Sequence, residues 1–292
     1  MIFSEINAFA SLVEKASKII KRYTKSSIER NVFVSSRFIE LFEAHGVHRN
    51  QIPRAFGHNL TLADVQSDSH LLANLNEEIL EDACSLFNIQ RAWLDGADKQ
   101  VYPTYDFYNN PNGFKEFIEK LTPDSEHKIS GVLLTPREGD NERTALLLIQ
   151  QIIGYIEDRP YYRYYLLDNW QFSYWKSRAY LTSCIAHCWA RKVHIFGLSV
   201  SGKFIESISD GQILLSWGKE GIHYLKGKKW YPEDMTIRPE IFLNGVDPER
   251  KNFGLKAGLK MWINLESEGH MHSGLESDTT KQEFIKKLNN YA

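Results

Sequence analysis

Apolar positions follow two different patterns along the chain. Through the first hundred residues they recur three and four apart, the period of helices that bury a single stripe. From about residue 131 onward, continuous apolar and aromatic runs take over. The opening segment, about Glu5 to Tyr23, sets Ile6, Phe9, Leu12, Val13, Ala16, Ile19 and Ile20 on one face. Its other face carries Lys15, Lys18, Lys21 and Arg22, and Lys25 follows. Ser35 and Ser36 stand where they can cap a helix over Arg37–His45, with Phe38, Leu41 and Phe42 as its stripe and Gly46 as its end. A second helix is expected over Asn50–Phe56, with Pro53 in the first turn, where the amide is unpaired anyway. Thr61 caps Leu62–Gln66, and Asp64 holds the capping-box position. Asn76 caps a longer helix through Phe87, and a last turn, Arg91–Leu94, closes at Asp95-Gly96. The shared spacing predicts one helical core over residues 31–100. It consists of Phe38, Leu41, Phe42, Ile52, Phe56, Leu62, Val65, Ile79, Leu80, Ala83, Leu86 and Trp93.

Residues 101–125 read as a connector, with a turn signal at 109–113 and a short helix over Phe114–Leu121. Beyond it, 131–135 is a short apolar strand. Residues 142–158 are apolar nearly all round and predict a buried helix. The aromatic run 161–170 predicts a strand, and 174–190 a second helix. Residues 193–200 and 203–210 predict two strands joined by a hairpin at Ser201-Gly202. Strands are expected to continue through 213–218 and 222–231. Loops follow over 232–275, and Thr280 with Glu283 opens a C-terminal helix, about Lys281–Asn290. This order implies an α+β unit over 126–292 with a mixed or antiparallel sheet. The chain therefore divides into a basic amphipathic helix (1–30), a helical unit (31–100), a connector (101–125) and the α+β unit.

The helical unit resembles a known family. Five short helices in this order, and above all EEILEDACSLFNIQRAWLDGAD at 77–98, resemble the helix-turn-helix domain of the xenobiotic-response-element (lambda-repressor-like) regulators. In that family a helix ends in a Leu-Gly-Val-like step, and a following turn ends in Trp-Leu and Gly. Here the step is Leu86-Phe87-Asn88-Ile89 and the ending Trp93-Leu94-Asp95-Gly96. RNQIPRAFG, 49–57, stands where the family has the first helix of its motif. The resemblance covers about residues 31–100. It implies a bacterial-type, DNA-binding transcription regulator that occupies double-stranded DNA as a homodimer without a cofactor. The α+β unit would then serve dimerisation or the sensing of a small-molecule effector. The second motif helix of that family lies in the major groove. The matching stretch here, 58–68, holds no Arg or Lys but does hold Asp64 and Asp68. Base reading falls to Asn59, Thr61, Gln66 and Ser67. Phosphate contact falls to Arg49, Asn50, Gln51 and Arg54, together with the basic front Lys15, Lys18, Lys21, Arg22 and Lys25. The same fold reused as a protein-docking adaptor remains open beside this reading.

Composition sets bounds. With 42% apolar and 25% charged residues, the 292-residue chain matches an ordinary globular protein rather than a disordered or fibrous one. No apolar run reaches the length of a membrane span. The start MIFSEINAF lacks the basic-then-apolar order of a secretory signal, and three cysteines give no disulfide framework, so a cytoplasmic location is expected. The net charge of −2 conceals an asymmetry: residues 1–54 hold nine Lys/Arg against five Asp/Glu, and residues 55–100 two against eight.

Other chemistry is thin. Cys184, His187 and Cys188 fall within one helical turn, and His270 and His272 could complete a metal set, but the spacing is not that of a zinc site. Buried thiols acting as small hydrophobes account for it better. Residues 198–204, LSVSGKF, lack the glycine and Lys-Ser/Thr pair of a P-loop. A serine–lysine autoprotease reading lacks its family's nucleophile motif. No paired carboxylates mark a hydrolase, although an enzyme whose site is assembled from distant residues remains a third reading. The aromatic cluster Tyr161, Tyr162, Tyr164, Tyr165, Trp170 and Trp175 suits either core packing or a dimer or ligand surface.

Overall fold

A computed structural model describes residues 33–122, 129–140 and 143–291. The amphipathic segment expected at 1–30 lies outside the described residues, as does most of the expected domain boundary at 122–127.

Helix α1 (Val34–Ala44) starts earlier than its spacing predicts, with Phe33 as N-cap. Ser35 is buried inside it, and Ser36 Oγ donates to Asp68 Oδ2 at 3.0 Å instead of capping. A 3-10 turn, Arg49–Gln51, leads into α2 (Ile52–Phe56), with Pro53 in its first turn. The short α3 (Leu62–Gln66) carries the expected capping box between Thr61 and Asp64. An unforeseen helix, α4 (Asp68–Asn74), follows after the single residue Ser67, whose hydroxyl caps it. Helix α5 (Glu77–Phe87) starts from its Asn76 cap and stops at Asn88 in the left-handed conformation, and α6 (Arg91–Leu94) closes the unit. The rings of Phe38, Phe42 and Phe87 pack at 4.8–4.9 Å in its centre. The expected core forms, with one clear exception: Leu62 is 58% exposed on the first turn of α3.

The sheet has six strands: β1 (Thr104–Tyr105), β2 (Ile129–Pro136), β3 (Thr144–Ile156), β4 (Arg159–Gln171), β5 (His194–Val200) and β6 (Lys228–Trp230). Their spatial order is β1-β4-β3-β2-β5-β6. The β1–β4 and β2–β5 pairs are parallel and the others antiparallel, so the sheet is mixed, as expected. Between β1 and β2 lies α7 (Pro111–Leu121). Helix α8 (Trp175–Ala190) makes the crossover from β4 to β5.

Several expectations are overturned here. Residues 142–158 are not a buried helix; they supply the central strand β3. A strand covered on both faces shows no alternation, and its apolar run cannot be told from a buried helix by period. The turn at Glu157, φ +56, folds it into a hairpin with β4. Residues 203–210 are not a strand but helix α9 (Gly202–Ser209), which buries Ile205 and Ile208 three positions apart. The hairpin at Ser201-Gly202 is thus a strand-to-helix turn, and Asp140 Oδ2 accepts the Gly202 N–H at 2.8 Å. The strands expected over 213–231 reduce to β6, preceded by a 3-10 segment, Gly218–Tyr224. The expected loop 232–275 contains α10 (Asp234–Ile237), α11 (Pro239–Leu243) and α12 (Phe253–Ser267). Its glycines are packing positions rather than breaks. A Cβ on Gly258 would sit 3.3 Å from Trp175 Cβ, and one on Gly254 would sit 2.2 Å from the Asp247 carbonyl oxygen. The last helix, α13 (Thr280–Asn289), forms, but Thr280 Oγ1 accepts from the Ser277 amide rather than making a capping box.

Helices cover both faces of the sheet. On one face α1 to α6, α9 and the 213–225 segment share a continuous core with Val132, Leu134, Leu146, Leu148, Tyr164 and Leu166. On the other, α7, α8 and the helices after β6 pack around Leu133, Leu147, Leu167, Trp170 and Trp262. Residues 101–122 belong to this body rather than linking two parts: Val101 and Tyr102 are buried, β1 pairs with β4, and α7 buries Phe114 and Ile118.

Candidate nucleic-acid interface

The motif that the sequence singles out is α2, the turn 57–61 and α3. Gly57, His58 and Asn59 all have positive φ (78°, 54° and 58°), which folds the chain sharply between the two helices. Asparagine tolerates this region, and glycine adopts it at no steric cost. Thr61 then fixes the start of α3. Its amide donates to Asp64 Oδ2 at 2.8 Å and its hydroxyl to the same oxygen at 2.6 Å, while the Asp64 amide donates back to Thr61 Oγ1 at 3.3 Å. These bonds hold the Asp64 carboxyl below its ordinary pKa.

Most of the polar residues assigned to DNA contact are engaged within the protein, one pair of them with each other. Gln66 Nε2 donates to Asn50 Oδ1 at 2.9 Å, joining α3 to the 3-10 turn that leads into α2. Gln51 Oε1 accepts from the His48 amide at 3.3 Å in a second capping box. The Arg49 Nε–H is given to the Val65 carbonyl, and Arg49 Nη2 lies 2.8 Å from Asp68 Oδ1. Ser67 Oγ caps α4. Gln51, Thr61 and Ser67 bond within their own helix caps, whereas Arg49, Asn50 and Gln66 are brought together between α3 and the turn before α2. Arg54 is not: it points to the β3–β4 hairpin and pairs with Glu157 at 3.6 Å. Asn59, Leu62 and Ala63 are exposed in the turn and at the start of α3. Lys15, Lys18, Lys21, Arg22 and Lys25 lie outside the described residues.

Charge is set against this face. Residues 33–100 hold five Lys/Arg against ten Asp/Glu. The remaining arginines of the unit are also engaged. Arg91 bridges Glu77, Glu81 and Asp95 at 2.8–3.0 Å. Arg37 bonds the Trp93 carbonyl and lies over the Trp93 ring.

The aromatic strand has a different place from the surface role considered for it. Tyr161, Tyr162, Tyr164, Tyr165 and Trp170 are all buried within the chain, and Trp175 is half-buried, edge-on to Phe253. Tyr161, Tyr162 and Tyr164 lie on the face toward the helical unit, whereas Tyr165 and Trp170 pack into the core of the opposite face. Tyr161 Oη donates to the Ala55 carbonyl at 3.5 Å and Tyr162 Oη to the Lys219 carbonyl at 3.3 Å. Two neighbours reinforce the seam between sheet and helical unit. Arg163 Nε donates to the Leu86 carbonyl at the end of α5 (2.6 Å), and Asn88 Nδ2 donates to the Tyr164 carbonyl (2.9 Å). Sequence reasoning missed His45, the deepest polar group here. Its Nδ1 bonds the Leu41 carbonyl at 2.8 Å, and its Nε2 faces Tyr102 Oη at 3.1 Å. Burial lowers its pKa to about 4. A lone histidine before Gly46 gave no signal of this.

On the far face His187 meets His270, Nε2 to Nδ1 at 3.1 Å. Lys115, Glu119, Arg191 and His272 line a cavity of about 160 Å³ beside His187. Burial, aided by His270 and Lys115, lowers the His187 pKa to about 4. Cys184 and Cys188 are buried with their thiol pKa values pushed up by desolvation, which fits the core reading. Among the described residues no group of three metal-ligating side chains converges. No described helix is long and apolar enough to cross a membrane.

The fold thus defines a mixed α/β sheet protein with a helical unit packed onto one face. Comparison with protein-family models, curated proteins and solved structures gives no significant match to the chain.

Proposed function

We propose that the chain is a DNA-binding transcription regulator of helix-turn-helix type, acting as a homodimer, with the sheet unit supplying dimerisation or ligand sensing. One observation carries this reading. The turn 57–61 and the Thr61 cap hold a short helix, α3, at the surface, with Asn59, Leu62, Ala63 and Gln66 exposed on it or on the turn before it. A reading helix needs that exposure and rigidity to enter a major groove. Hydrogen bonds of the Asn50–Gln66 kind also fix the angle between the two motif helices. The test is binding of the purified chain to duplex DNA across a salt series, where phosphate contact makes log K fall linearly with log salt.

A protein-docking adaptor is the second reading, favoured by the acidic balance of residues 33–100 and by the exposed Leu62. The same titration separates the two: an adaptor shows no salt-dependent affinity for DNA.

A further inference from the structure

We infer that the segment Lys219–Tyr231, on the sheet unit, is a phosphate-contacting strap that supplies the electrostatic attraction to duplex DNA that the helical unit lacks. The inference rests on the DNA-binding reading above and gives it a location.

The strap begins against the helical unit. A Cβ on Gly46, at the end of α1, would meet the Gly218 carbonyl carbon at 3.1 Å and the Lys219 nitrogen at 3.2 Å. From there the chain runs through the 3-10 segment to β6, the outer strand of the sheet. The backbone is pinned along the way. Tyr162 Oη donates to the Lys219 carbonyl at 3.3 Å, and the Ile222 amide donates to Gln150 Oε1 at 2.9 Å. Residues 228–230 pair antiparallel with 197–199 of β5. Ile222 and Leu225 are buried and anchor the segment, while His223, Tyr224 and the lysines on either side are exposed on a fixed backbone.

Those outward residues have one character. Lys219, Lys226, Lys228 and Lys229 are exposed, against the single acid Glu220. Among the described residues none of the four lies within ion-pair distance of a carboxylate. Lys226 Nζ donates only to the His223 carbonyl, at 3.4 Å. This is the reverse of the helical unit, where Arg37, Arg49 and Arg91 are bonded to acceptors of the protein itself and Arg54 lies within ion-pair distance of Glu157. Tyr224 and Tyr231, 52% and 69% exposed, interleave with the lysines. Tyrosine hydroxyls and lysine ammonium groups are both common phosphate partners. Lysines on an outer strand also keep sheets from pairing edge to edge. That role accounts for Lys228 and Lys229, but not for Lys219, Lys226 or the two tyrosines, which lie outside the strand.

The experiment uses the full chain and a random-sequence duplex, with affinity measured across about 50–200 mM salt. A K226A/K228A/K229A variant is compared with K251A/K256A/K260A, which removes the same charge from α12 and the turn before it. Thermal melting of each variant confirms the fold. Each phosphate contact contributes about −0.9 to the salt slope, so the strap variant should lose up to about 3 units of slope. Across that fourfold salt range, this is about 40-fold of the wild-type affinity loss. The α12 variant should keep the wild-type slope. Y224F/Y231F should weaken binding at unchanged slope, since it removes hydroxyls and no charge. If the wild type binds and the strap variant keeps its slope, or both triple variants lose it equally, the strap is not the contact. If the wild type shows no salt-dependent binding, the DNA-binding reading itself fails and this inference falls with it.

Discussion

Lowering the pH should loosen the joint between the helical unit and the sheet, through His45. This imidazole is fully buried, and each of its nitrogens has a partner. Nδ1–H donates to the Leu41 carbonyl, and Nε2 accepts from the Tyr102 hydroxyl, whose oxygen in turn accepts the Leu215 amide at 3.2 Å. The chain of donors runs in one direction and suits the neutral ring, and a second proton would place an uncompensated charge in the core. Burial accordingly lowers the pKa from 6.5 to about 4. The folded state thus binds this proton less readily than the unfolded chain. The contribution is fully present above about pH 6.5 and is lost as pH falls toward 4. At about 1.4 kcal/mol per unit, the whole span is worth about 3 kcal/mol, of which about 2 kcal/mol goes between pH 7 and pH 5. Urea unfolding followed by tryptophan fluorescence at both pH values measures it. His45→Phe keeps the ring volume and abolishes the titration. The variant should be less stable at pH 7 by about 1–3 kcal/mol, because the Tyr102 hydroxyl proton loses its acceptor. Its stability should nevertheless change by about 2 kcal/mol less than that of the wild type between pH 7 and pH 5. His187 titrates in both proteins, so its share cancels in the difference. Equal pH dependence in the two proteins would refute the assignment.

Four further outcomes are expected. Asn88→Ala should cost about 2 kcal/mol in urea unfolding, through a left-handed residue without its side-chain bonds to Tyr164 and Tyr105, and Asn88→Gly should recover part of it. Gly254→Ala should lower the melting temperature, since its Cβ would collide with the Asp247 carbonyl, at a cost of about 1–3 kcal/mol. Arg49→Ala should destabilise the motif while leaving the salt slope of DNA binding unchanged, because its guanidinium is already held by Val65 and Asp68; a slope reduced by a full unit would contradict this. Sedimentation velocity at micromolar concentration should give a homodimer, and a strictly monomeric mass would count against the regulator reading.

The helical unit was legible because its signals are local. Thr61, Asn76 and the glycines at 46, 57 and 96 act within a few residues of themselves, and the apolar spacing needs no partner to be read. Helix α4 escaped because its cap, Ser67, directly follows α3 and left no visible break. The sheet unit was less legible because it is buried from both sides. Covering β3 on two faces erased the alternation that marks a strand, and the sequence read as helix. Gly254 and Gly258 read as loop residues because nothing local shows that Asp247 and Trp175 press against them. The aromatic run 161–170 shows its strand character locally, but its burial depends on α1 to α6 covering one face, which no local pattern reveals. The lysines of the strap were visible in the sequence, but their exposure and their nearness to Gly46 were not.

The shared core also constrains how the proposed regulator could respond to an effector. Where a reading domain hangs on a flexible linker, a ligand can change its position relative to its own sensing domain. Here Tyr161, Arg163 and Asn88 bond the helical unit directly to the sheet, and His45 joins it through Tyr102 and by packing against the Tyr164 ring. Tilting the motif against β4 would break those bonds together and expose the core beneath, at far more than the 1–3 kcal/mol typical of a coupling free energy. The cavity beside His187 lies on the other face, behind the sheet. A signal arising there would have to act on the body as a whole, by changing how two copies pair, rather than by moving the motif within one copy. Ligand-dependent regulation of this chain should therefore appear as a changed dimerisation constant, with the salt dependence of each protomer's DNA contact preserved.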